Sequence, residues 1–272
     1  MYRRRFELTH HPLPKSATGK TFYDQSPGFQ RLARRFRQLV EEPALGVVTA
    51  EPGVGKTAAM RHLCNALPQP DHRVVYLCDT AVSPLDLYRT LAVELGVRPS
   101  HRRAGLWADL KKTLVHLVDE RGVKPIVVID EAQHLSDKFL LDLSGFLNFA
   151  FDSRDLFTLW LVGLPQLSAR LRLQQHAALA MRVVAWIHLE PLTREAFGAL
   201  IEHGLEAAGA NNKLLADPAL EQLFRVSHGL PRVAAKLLRA ALRVADERGQ
   251  AFVDELAMEA AIDELAPPAA AR

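Results

Sequence analysis

Cysteine is nearly missing. Only Cys64 and Cys78 occur among 272 residues, too few for a disulfide framework, and both fall in apolar stretches that read as reduced core positions. Long hydrophobic runs are missing too: none approaches the roughly 18–20 residues that a bilayer crossing needs. The chain opens with Arg3-Arg4-Arg5, but no apolar signal core follows. There is no internal repeat and no low-complexity block. Excess charge of one sign is slight, because 34 Lys and Arg against 31 Asp and Glu leave +3, too mild to establish a nucleic-acid partner by itself. These absences exclude secreted disulfide scaffolds and membrane spans, and they predict a cytoplasmic protein without a membrane partner. What remains is an ordinary globular composition, 49% hydrophobic and 24% charged, long enough for one large domain or one domain with a smaller companion.

The chemistry concentrates in Ala50-Glu51-Pro52-Gly53-Val54-Gly55-Lys56-Thr57. An apolar strand, Leu45 to Thr49, precedes it, and a helix beginning Ala58-Ala59-Met60 follows. Strand, glycine-rich loop, helix is the context of a phosphate-binding loop. Small residues let backbone N–H groups turn inward on phosphate oxygens. The predicted ATP contacts are Glu51, Pro52, Gly53, Val54, Gly55, Lys56, Thr57 and Ala58. Lys56 places an ammonium on the terminal phosphates and Thr57 gives its hydroxyl to Mg²⁺. Ala50 stands where the pattern usually has glycine; alanine is small enough to do little steric damage. A second apolar strand, Pro125-Ile-Val-Val-Ile, delivers Asp130 and Glu131 at its C-terminal end, where α/β sheets keep their ligands. Asp130 is the expected metal carboxylate and Glu131 the group that polarises the attacking water.

Further strands are expected at 73–78, 157–163 and 183–189, with helices between them at about 28–42, 57–67, 83–96 and 106–120, and another after Leu135. From Thr193 onward only helices are read, near 193–208, 217–227, 230–247 and 254–264, before an Ala/Pro tail expected to fray. Strands alternating with helices and then helices alone predict an α/β fold: a three-layer α/β/α P-loop domain on a parallel five-stranded sheet, followed by a small α-helical lid. The predicted division is 1–42 as a basic segment and helix belonging to the ATPase module, 43–190 as the P-loop domain, and 191–272 as the lid. Basic residues gather in 1–40 and again at Arg102, Arg103, Lys111 and Lys112. The first group reads equally as a solvated face or as a partner surface, and the second reads first as a surface loop and a solvated face.

Four stretches together resemble AAA+ ATPases: the P-loop, Ile129-Asp-Glu-Ala-Gln-His-Leu135, Leu161-Val-Gly-Leu-Pro-Gln-Leu167 and Gly229-Leu-Pro-Arg232. The resemblance covers about residues 6–265 and is nearest the branch with TnsC, TniB and MuB-type transposition regulators and ExeA secretion ATPases. It implies that Arg232 reaches the γ-phosphate in cis and couples the lid to the nucleotide. It implies that Arg182, with Arg170 and Arg172 as competitors, serves a neighbouring subunit as an arginine finger. A polar residue is expected at the end of the fourth strand. This chain has Leu164 there, and Gln166 is the nearest polar candidate. The resemblance also implies a homo-oligomer, a ring or helical filament of six or seven subunits, with ATP binding as the assembly signal. Duplex DNA would be gripped by its backbone through Arg102, Arg103, Lys111 and Lys112.

The leading expectation is an ATP-dependent, DNA-binding regulator of transposition that assembles on target DNA and recruits a transposase, with a target-selection protein as a further partner. Its cofactors are ATP and Mg²⁺, and its hydrolysis is slow and stimulated by DNA or partner. The alternatives are an ExeA-like secretion or assembly ATPase, a helicase-loader-like ATPase, and a nucleotide-gated scaffold with negligible turnover. ExeA-like chains carry a membrane segment and a further domain after the ATPase. The end of this sequence at the lid weighs toward transposition.

Overall fold

The computed structural model describes residues 2–266, so the fraying expected of the tail beyond 266 lies outside the described residues. The helices are α1 (Tyr2–Arg5), α2 (Pro27–Glu41), α3 (Lys56–Asn65), α4 (Pro84–Glu94), α5 (Arg103–Val115), α6 (Asp137–Phe146), α7 (Pro165–Leu171), α8 (Ala177–Ala180), α9 (Arg194–Ala207), α10 (Asp217–Ser227), α11 (Pro231–Glu247) and α12 (Glu255–Leu265). The strands are β1 (Leu45–Ala50), β2 (His72–Leu77), β3 (Lys124–Ile129), β4 (Thr158–Gly163) and β5 (Val183–Leu189). Every pairing is parallel, in the order β2-β3-β4-β1-β5. This is the three-layer P-loop architecture expected.

Two compact units emerge. The first comprises Gly28–Glu51 and Ala59–Leu189. Its sheet shows why the sequence folds as it does. The central strands β1 and β4 are buried along their whole length, and β3 at five of six positions, as continuous β-branched and apolar runs demand in a sheet covered on both faces. The edge strands β2 and β5 alternate instead, leaving Tyr76, Val184 and Trp186 exposed. The amphipathic α2 buries Phe29, Leu32, Phe36 and Leu39 and leaves its arginines outside. Phe36 stacks on the buried Trp160 of β4 at 6.0 Å. Ser83 caps α4 through the Asp86 N–H, with Pro84 opening the helix.

Among the described residues, the second unit comprises 2–27, Pro52–Ala58 and 190–266. Alanines of α11 (Ala234, Ala241, Ala245) alternate with Leu237, Leu238 and Leu242, giving a face that buries against α12 residues Ala257, Met258 and Ala261. Tyr2, Phe6 and Leu8 join this core, and the Thr9 N–H donates to Ala208 O at 2.8 Å. The segment 1–42 is therefore shared: residues up to 27 cluster with the helical unit and α2 with the sheet.

Two local readings are corrected. The helix expected at 106–120 starts at Arg103 and gives way at His116 to one π-helical turn ending at Glu120. Arg103 extends it because its guanidinium lies over Trp107, one turn on, 4.2 Å from the ring centroid. Cys78 is not a core residue. Strand β2 ends at Leu77 on a sheet edge, and the next residue is exposed. Cys64 is half-buried, its thiol pushed up to about 12 by burial, and both cysteines are free.

Candidate functional site

Strands β1 and β3 end on the same edge of the sheet, with β4 between them. Ala50, the last residue of β1, is fully buried and extended, paired with Leu189 of β5. No left-handed conformation is asked of it, which is why alanine can replace glycine there. The requirement falls on Gly53 and Gly55, at φ +92 and +113, values that side-chain-bearing residues rarely adopt. Lys56 then opens α3 and is only 8% exposed, and Thr57 sits in the first helical turn. A helix N-terminus with N–H groups turned inward is a ready anion site.

Within the helical unit the loop has one more neighbour. The Arg232 backbone N–H, in the first turn of α11, donates to Gly53 O at 3.2 Å, and a Cβ on Gly53 would meet the Arg232 Cβ at 3.4 Å. Arg232 itself is exposed. The structure thus brings the predicted lid arginine against the phosphate loop.

At the end of β3, Asp130 is 2% exposed. The Tyr76 hydroxyl donates to its Oδ2 at 2.9 Å, and its Oδ1 accepts the Glu131 N–H at 2.9 Å. Burial first, and then the Asp130 carboxylate, push the Tyr76 phenol above its ordinary range, so it stays a donor. Glu131 has left-handed backbone, φ 52, and is exposed. The Thr80 hydroxyl holds its carbonyl at 2.9 Å, and the Gln133 amide donates to its Oε2 at 2.7 Å. Of the residues expected to hold Mg²⁺, Thr57 carries a hydroxyl and Asp130 a carboxylate, hard oxygens of the kind that ion prefers. Among the described residues no group of three or more His, Cys, Asp or Glu could hold a metal ion.

The other sequence candidates fare differently. Gln166 is exposed on α7. The polar group at the end of β4 is instead the Gln133 amide, whose Oε1 accepts the Leu164 N–H at 3.0 Å. Gln133 was not among the sequence candidates, although it stands two residues after Glu131. Arg170 is fully engaged, donating to Gln133 O and Leu135 O at 2.8 Å each and to Asp137 Oδ1 at 2.6 Å. Arg182 pairs with Asp152. Arg172 is exposed, 5.7 Å from the Trp186 ring centroid. Of the basic residues expected to grip DNA, Arg103 pairs with Asp142 at 3.0 Å and covers Trp107. Lys111 donates to Asn148 O at 2.6 Å beyond the end of α6 and lies 4.7 Å from the Phe149 centroid, its ammonium held below the usual lysine range by burial. Both fasten α5 to α6. Arg102 and Lys112 are exposed.

Residues 38–171 match the family model described as an AAA domain. General secretion pathway protein A of Aeromonas hydrophila is 30% identical over 251 residues, 92% of this chain and 46% of that protein. The chain thus spans about half the length of that curated relative. Among solved structures, Cdc6p from Pyrobaculum aerophilum superposes with a TM-score of 0.71 at 17% identity, covering 93% of this chain and 70% of that one. The Aeropyrum pernix ORC2 protein in its ADP form superposes at 0.70 and 16% identity, covering 96% and 72%. At such identities the likeness shows the fold, and that fold is the AAA+ P-loop architecture.

Proposed function

We propose that this AAA+ chain is an ATPase that works on the assembly of a secretion apparatus, the second of the sequence readings rather than the first. The relative that aligns with 92% of the chain is named a general secretion pathway protein, and this is the observation that carries the choice. The end of the sequence at the lid, which had weighed toward transposition, loses its force, because the relative is about twice as long. Two of the four basic residues that were to hold DNA are spent on internal packing, which removes support from the target-DNA reading. No helix among the described residues is long and apolar enough to cross a membrane.

In this reading the 50–57 loop holds the triphosphate, with Lys56 on its terminal groups. Thr57 and Asp130 would hold Mg²⁺, which when bound would supply charge neutralisation of the phosphates. Glu131 accepts a proton from water as the water oxygen bonds to the γ-phosphorus. The bond from that phosphorus to the bridging oxygen breaks, and ADP leaves with the electron pair. Arg232, placed against Gly53, reports the nucleotide to the helical unit. A neighbouring subunit in a homo-oligomer would contribute Arg172, or Arg182 after exchanging Asp152 for phosphate.

The test is ATP turnover with equilibrium binding of a fluorescent ATP analogue, for the wild type, Lys56→Ala and Glu131→Gln. Turnover that vanishes in both variants, with binding lost only in Lys56→Ala, supports the site. Sedimentation with a long random duplex separates the readings of partner. ATP-dependent, salt-sensitive co-sedimentation returns the function to DNA, acting through Arg102 and Lys112.

A further inference from the structure

We propose that Gln133 is a positioning residue for hydrolysis: its amide fills the polar place at the end of β4 and from there sets the Glu131 carboxylate. The inference rests on the ATPase reading above.

Three observations carry it. The amide is used at both ends, donating from Nε2 to Glu131 Oε2 at 2.7 Å and accepting at Oε1 from the Leu164 N–H at 3.0 Å. The orientation is dictated, because a flipped amide would set oxygen against carboxylate and N–H against N–H. The strand makes room for it. A Cβ on Gly163 would fall 2.7 Å from Gln133 Oε1 and 3.2 Å from its backbone nitrogen, so the last residue of β4 must lack a side chain for the amide to enter. The backbone beneath is pinned by Arg170, which donates to Gln133 O at 2.8 Å. Gln166, the residue that spacing favoured, is exposed on α7 and makes none of these contacts.

The chemical consequence follows from the carboxylate's two oxygens. With Oε2 occupied by the amide, Oε1 is left for the water whose proton Glu131 takes. A general base works only when held within hydrogen-bond reach of that proton, and a shift of about 1 Å costs on the order of 100-fold. Gln133 also ties the base to the loop after β4, so a displacement of Leu164 is passed to Glu131. Only an amide presents donor and acceptor on one planar group at this length. Methionine keeps the volume and loses both bonds. Glutamate keeps the acceptor, loses the donor and sets a like charge beside Glu131.

The experiment measures kcat and KM for ATP in Gln133→Met, Gln133→Glu, Gly163→Ala and Gln166→Ala, with melting temperature as the check on folding. The expected result is a fall in kcat of roughly tenfold in Gln133→Met and more in Gln133→Glu, with KM within about twofold, the signature of an interaction that serves the transition state alone. Gly163→Ala should lower kcat by displacing the amide, and combining it with Gln133→Met should cost less than the two losses multiplied. Wild-type kcat in Gln133→Met, or a loss that appears in Gln166→Ala instead, overturns the proposal while the ATPase reading stands. If Gln133→Met is unfolded at the assay temperature, Gly163→Ala decides between the outcomes with every Gln133 atom present: lowered kcat supports the proposal and wild-type kcat overturns it. If the wild type binds ATP but does not hydrolyse it, or Glu131→Gln turns over normally, the ATPase reading falls first and the proposal with it.

Discussion

Of the places where non-glycine residues take left-handed backbone, two in the sheet unit are held in opposite ways. One is Glu131, at φ 52. The other is the run Ala150, Phe151, Asp152, at φ 48, 58 and 63. Each such residue costs on the order of 1–2 kcal/mol. At Glu131 the cost is met largely by groups distant in sequence: Thr80 on its carbonyl, Leu164 of the loop after β4 through the Gln133 amide, and Arg170 clamping the backbone beyond. At 150–152 the hydrogen bonds are local, Asp152 N–H to Asn148 Oδ1 at 3.0 Å and the Ser153 hydroxyl to Ala150 O at 2.6 Å, with one distant ion pair to Arg182. Phe151 stands fully exposed at the tip. Strain over-determined from several elements marks a place where one side chain's position matters, whereas strain held from within marks a tight connection.

The largest expected effect breaks the first turn at its purpose. Glu131→Gln should lower turnover by roughly 10²–10⁴-fold with ATP affinity retained, while Asp152→Asn in the second turn should leave turnover unchanged; single-turnover kinetics on both variants checks this. Next comes the clamp. Arg170→Ala removes donors from two carbonyls and a carboxylate and should cost about 2–3 kcal/mol of stability, read by urea denaturation, with a fall in kcat as the Gln133 backbone loosens. Its pH dependence has a defined sign. The Arg170 guanidinium, and then His176, hold the Asp137 carboxyl below the usual carboxylate range. A depressed folded value contributes stability above the unfolded value near pH 4, and that contribution is lost as pH falls through the folded value. Asp137→Asn should therefore be less stable than wild type at neutral pH, with the two curves converging in acid.

The same contrast explains what could be read in advance. The five strands and the lid helices were legible because their signals are local: apolar runs for β1, β3 and β4, Ser-Pro and Gly-Leu-Pro-Arg at helix starts. The phosphate loop was legible for the same reason, since backbone, lysine and hydroxyl come from eight consecutive residues. The support of Glu131 was not. Nothing in the spacing says that Gln133 reaches Leu164, 31 residues on, or that Gly163 is small on its account. The basic residues of α5 failed similarly. Arg103 and Lys111 have the composition of a binding face, and only the position of Asp142, Trp107 and the end of α6 reveals that they are consumed at home.

The smallest effects test whether the second turn is only a connection. Arg182→Ala removes a partly exposed ion pair and should cost less than about 1 kcal/mol. If it instead abolishes turnover while stability holds, Arg182 serves the active site of a neighbouring subunit, and the turn around Asp152 is its resting place. Ala150→Gly goes the other way. Glycine adopts φ near +50 without steric cost but gives the unfolded chain more freedom, so the two terms nearly offset and the expected gain is at most about 1 kcal/mol. A gain in melting temperature at unchanged kcat would show that the strain at 150 serves nothing in catalysis. A fall in kcat with a gain in stability would show that it does, and the distinction between the two turns would fail.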